Sequence, residues 1–153
     1  MKHSIMKKTL LIASFLAFAI PTFSQLQYKV ITTIESVVPG GLGRSRIINE
    51  GEEVDYTDYT TERIDGKKSD QGNVKRKDVK IDNFDETKIL NFYSLTGINF
   101  QNIASNDAVI SSVLNDMTSK GWELAFVTSG VESDAGKGDG TGIFITRYVF
   151  MRE

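Results

Sequence analysis

Asn106 to Thr128 reads NDAVISSVLNDMTSKGWELAFVT, and its two halves carry different periods. In the first half Val109, Ile110, Val113, Leu114 and Met117 recur at helical spacing, which sets them in one stripe along an α-helix. Asn106 is placed to accept from the free amides of the first turn. Asp107 complements the positive helix start, Lys120 the negative end, and Gly121 supplies the left-handed residue on which helices stop. In the second half Trp122, Leu124 and Phe126 alternate with Glu123, Ala125 and Val127, the period of a strand. A helix that halts on glycine and runs directly into a strand predicts a helix packed against a sheet.

Toward the C-terminus, Ser129 to Thr141 forms a connector with four glycines, long for a hairpin loop. Gly142 to Met151 then alternates Ile143, Ile145, Val149 and Met151 against Phe144, Tyr148 and Phe150. Apolar residues on both sides predict a central or well-covered strand. Toward the N-terminus, Tyr28 to Val37 places Tyr28, Val30, Thr32 and Ile34 on one side and Lys29, Ile31, Thr33 and Glu35 on the other. Pro39-Gly-Gly-Leu-Gly43 is a turn, and Arg44 to Asn49 continues as a second strand.

The middle is less regular. Gly51 to Asn83 holds sixteen charged residues against seven large apolar ones, too few to order so long a stretch compactly. It reads as a charged, partly mobile insertion, with strand-like alternation at Val54-Asp-Tyr56 and Val79-Lys-Ile81 and a tight turn at Asp65-Gly66. Asp85 to Leu95 reads as a second helix capped by Asp85 and stopped by Gly97, with a strand as the alternative. A gapless match between Leu90-Asn91…Gly97 and Leu114-Asn115…Gly121 favours the helix. The expected fold is α+β: an antiparallel sheet of about four strands with one or two helices packed on one face.

The run Leu114 to Leu124, ending in Gly-Trp-Glu-Leu, with Tyr28-Lys29-Val30 before it and Ile145 to Arg152 after it, resembles a family of small bacterial domains of unknown function. That family opens on a Tyr-Lys-Val strand and closes on an aromatic strand ending in a basic residue. The resemblance covers residues 27–37 and 106–152 and implies a fold, with no catalytic residue to carry over. Residues 38–105 depart from the pattern.

Lys2, Lys7 and Lys8 precede an apolar run, Leu10 to Ile20, broken only by Ser14; Pro21 ends it, and Thr22 and Ser24 are small residues before Gln25. This is the pattern of a secretory signal peptide, too short to span a bilayer as a helix. Cleavage is expected after Ser24, with Ala19 as the second choice. That leaves a single domain over 25–153, located in the periplasm or secreted, with no transmembrane segment. Removing three lysines and no acidic residue takes the net charge from −2 to −5, which disfavours nucleic acid as a partner.

There is no cysteine, and the one histidine, His3, lies in the segment expected to be removed. Thiol and imidazole nucleophiles, bases and metal ligands are thereby excluded from the processed chain. No catalytic residues, metal site or cofactor are expected, and 133–141 fails the calcium-loop pattern. A carboxylate-dependent hydrolase acting on envelope polysaccharide is the alternative. The preferred reading is a non-catalytic domain that binds an envelope protein or a small anionic ligand. For an anion, Gly41 and Gly43 offer close backbone approach, and Arg44 and Arg46 offer two guanidinium forks.

Overall fold

The computed structural model describes residues 25–38, 44–132 and 142–153. Five strands form one antiparallel sheet: β1 (Gln27–Ser36), β2 (Arg46–Glu50), β5 (Phe84–Lys88), β8 (Glu123–Glu132) and β9 (Ile143–Arg152). Their order across the sheet is β5-β2-β1-β9-β8. The first strand of the chain therefore lies at the centre and pairs along its whole length with the last, from Gln27 opposite Arg152 to Ser36 opposite Ile143.

The single long helix, α2 (Phe100–Ser119), follows a one-turn helix α1 (Arg76–Val79). It is longer than the sequence predicts. Its cap is Asn99, whose side chain accepts from the amides of Gln101 and Asn102, while Asn106 lies inside the helix and is buried. Gly121 stops it as expected, at φ 81°. One face of α2 covers one face of the sheet. Ile31, Ile47, Ile89, Met117 and Phe150 form the buried centre, with Val109, Ile110, Val113, Leu114, Trp122 and Tyr148 packed around them.

Three readings of the sequence are corrected. The segment 85–95 is not a helix: it supplies β5, the buried Ile89 and Asn91, and then a tight hairpin of β6 (Tyr93–Ser94) and β7 (Gly97–Ile98). Pairing with β2 takes up the backbone of 84–88, and Gly97 serves a turn at φ 118° rather than a helix end. Strand β8 runs to Glu132, so the β8–β9 connection is shorter than the expected 129–141. A β-bulge at Ala125 also breaks the alternation. Leu124 pairs with Phe150, but Phe126 pairs with Val149, so these two side chains stand on opposite faces.

The insertion is a chain of small local structures. A 3₁₀ turn (Tyr56–Tyr59) is capped by the Asp55 carboxylate, which accepts from the Thr57 amide and hydroxyl and is held below its usual carboxylate range by those bonds. Asp65-Gly66, both at positive φ, turn the hairpin of β3 (Arg63–Ile64) and β4 (Lys68–Ser69) as the sequence predicts. The strand-like patterns at 54–56 and 79–81 do not form strands; Val79 instead ends α1.

Candidate binding surface

The sheet has two faces of similar apolar content, and α2 lies on only one of them. The face under α2 carries Lys29, Ile31, Thr33 and Glu35 on β1, Ile47 and Asn49 on β2, Tyr148 and Phe150 on β9 and Leu124 and Val127 on β8. The opposite face carries Tyr28, Thr32, Ile34, Ile48, Ile145, Val149 and Met151, to which the bulge adds Phe126, with Arg46, Glu86, Lys88, Arg147 and Glu132 among them. None of these belongs to the buried core. Tyr28 is 62% exposed, Phe126 55% and Phe84 46%, and the isoleucines and valine between them are half-buried. Among the described residues no helix lies on this face. A shallow cavity of about 600 Å³ runs along it past Thr128, Gly130, Glu132, Ile143, Ile145 and Arg147.

The covered face contains a polar seam to match. Asn106 sits under Glu35 and donates from Nδ2 to its Oε1 at 3.0 Å and to the Leu90 carbonyl at 2.8 Å, while its Oδ1 accepts from the Leu90 amide at 2.8 Å. One buried amide thus closes the edge of the β5–β6 connection against the helix. Burial pushes the Glu35 carboxyl above its ordinary 4.5, the Asn106 bond opposes this, and the nearby Asp107 charge adds to it. Burial and the Glu35 charge likewise raise Tyr148, whose phenol faces the Thr33 hydroxyl. These groups join helix to sheet, and no periodicity in the sequence marks them.

A second latch ties the end of β1 to the residue before β2. The Ser36 amide donates to Ser45 Oγ at 2.9 Å, and that hydroxyl donates to Asn91 Oδ1 at 2.7 Å. Beside it stand the two arginines singled out for anion binding. Arg44 is exposed. Arg46 turns its guanidinium inward, donating from Nη1 to the Ser45 carbonyl at 2.7 Å, with Nε 4.0 Å from Glu86. Gly41 and Gly43 lie outside the described residues. The two side chains thus differ in availability: Arg44 is open to a ligand, and Arg46 must first leave the Ser45 carbonyl.

Trp122 is where the sequence predicts a structural anchor. It packs on the core from the end of α2, and the Arg152 guanidinium lies over its ring, 4.4 Å from the centroid. Gln27 accepts from Arg152 Nη2 at 2.8 Å, so the ring, the cation and the start of β1 form one stack. They border an open cavity of about 740 Å³ reaching Glu52 and Val54. Among the described residues no three carboxylates converge as a metal site would need, and no helix is long and apolar enough to cross a membrane. No protein-family model, characterised protein or solved structure matches the chain.

Proposed function

We propose that this chain is an exported, non-catalytic binding domain whose uncovered sheet face docks a macromolecular partner in the cell envelope. One observation carries the reading: α2 leaves one face of the sheet open, and Tyr28, Phe126 and Phe84 are all exposed on it around Ile34, Ile48, Ile145 and Val149. Contiguous apolar surface of this extent on a small domain marks an interaction site. The charged start and short apolar run before Gln25 support export.

Site-specific photo-crosslinking tests it. A photoreactive phenylalanine analogue at Phe126, on the open face, is expected to give a protein adduct in producing cells. The same probe at Ser112, on the exposed side of α2, is expected to give none. Equal labelling at the two positions, or none at Phe126, would remove the reading. Intact mass of the exported fraction should begin at Gln25.

A further inference from the structure

Resting on that reading, we propose that the occupant of the open face is a second copy of this chain, packed sheet against sheet about a two-fold axis parallel to the strands and passing over β1. The register defines two rows of side chains that cross the whole open face. One row is Glu86–Ile48–Thr32–Arg147–Thr128 and the other is Lys88–Arg46–Ile34–Ile145–Gly130. Rotation about an axis along β1 keeps each row at its own level and exchanges its ends, so β5 of one copy lies over β8 of the other.

The consequences follow row by row. Lys88 comes to lie over Gly130 of the partner copy, which presents no side chain and where an added Cβ would meet nothing within 4 Å, so the lysine stem is not obstructed there. Its ammonium then reaches Glu132, the next residue of β8 on the same face. Glu86 comes over Thr128, beside Arg147, which is exposed in the single chain. Below these rows, Phe84 on β5 meets Phe126 on β8, two exposed aromatics at one level of the sheet. Each contact occurs twice. Ile34 meets its own copy on the axis; beside it Arg46 lies over Ile145 and Arg147 over Ile48, with a Glu86 carboxylate next to each guanidinium.

The alternative in-plane axis, across the strands, is opposed by charge. It would set Arg147 against its own copy and Glu132 against the Glu123 end of β8, placing like charges together. The area is sufficient for the first arrangement. At a strand spacing of about 4.8 Å and a rise of about 3.3 Å per residue, the five strands offer a footprint of roughly 600 Å² per copy. Two copies bury roughly 1,200–1,300 Å², inside the range of about 1,200–2,000 Å² for specific interfaces. Aligned sheet packing about 10 Å apart is the standard geometry for two such faces.

The test is sedimentation equilibrium of the purified chain with three sets of variants. The wild type is expected to sediment as a dimer at about 10–100 µM, a common range for interfaces at the small end of that scale. Phe84→Glu with Phe126→Glu is expected to give a monomer with unchanged circular dichroism, since both side chains are exposed in the single chain. Lys88→Glu or Glu132→Lys alone should weaken the dimer about tenfold, because each removes two rim ion pairs, and the two together should restore it to within about threefold of wild type. A monomeric wild type at about 100 µM overturns the second copy as occupant. In that case a crosslink from Phe126 to another protein leaves the docking face standing, whereas no crosslink removes both. A wild-type dimer that the aromatic pair of variants does not dissociate, or whose charge swap shows no rescue, overturns the arrangement.

Discussion

The two faces of one sheet solve burial in opposite ways. Under α2, Ile31, Ile47 and Phe150 are buried together with Thr33, and Asn106 reaches the half-buried Glu35. On the other side a face with isoleucine, aromatic and charged residues is left without a helix. Polarity does not separate the two faces. The difference teaches that in a sheet the helix takes the face to which the connection leads. Gly121 and Trp122 deliver α2 onto the Phe150 side, and the opposite side is left for another surface.

The widest gap between the faces is expected in paired truncations. Phe150→Ala, at 1% exposure under the helix, should cost about 3–5 kcal/mol in denaturant unfolding. Phe126→Ala, at 55% exposure on the other side, should cost under about 1 kcal/mol when measured at concentrations that keep the chain monomeric. Equal costs would mean that the open face is covered within one chain.

Next comes the polar seam. Asn106→Ala leaves the Leu90 amide and carbonyl and one Glu35 oxygen without their partner, and about 3 kcal/mol of lost stability is expected from unmet buried polar groups. A loss below about 1 kcal/mol would show that water replaces the amide. Asn99→Ala should cost about 1 kcal/mol, a normal N-cap value, and identify Asn99 as the residue that starts α2.

The smallest effect concerns Glu35 and has a defined sign. Its raised pKa means that the folded chain holds the proton to higher pH than the unfolded chain. Stability therefore falls as pH climbs from 4.5 through the folded-state pKa, and the ionised carboxylate is a net burden at neutral pH. Glu35→Gln keeps an oxygen for Asn106 and should raise the unfolding midpoint slightly at pH 7 while flattening the slope above 4.5. An unaltered pH slope would place the burden on another group.

Periodicity made much of this legible. The stripe Val109 to Met117, the stop at Gly121, the two faces of β1 and β9 and the turn at Asp65-Gly66 all stand where the sequence predicts them. Two signals misled. Ile89, Leu90, Phe92 and Tyr93 mimic a helical stripe, yet they belong to a strand end and a hairpin, where buried Ile89 and the Phe92–Phe144 ring pair absorb them. The bulge at Ala125 has no signature of its own, so Phe126 reads as a companion of Trp122 although it faces away. At the arginine cluster, residue type alone did not reveal that the Ser45 carbonyl and Glu86 engage Arg46. The open face was visible only as an oddity, a last strand apolar on both sides, because the sequence does not say which face a helix takes.

The pairing of the first strand with the last sets the order of events in folding. β1 reaches one neighbour quickly, since β2 follows ten residues after its end, but its other edge stays bare until Ile143–Arg152 arrive, and β8 pairs with β9 alone. Contacts this distant along the chain close slowly. The sheet therefore locks only when Ile143–Arg152 join it, so deleting that strand should leave β1 and β8 without their shared partner and the chain without a compact fold by circular dichroism.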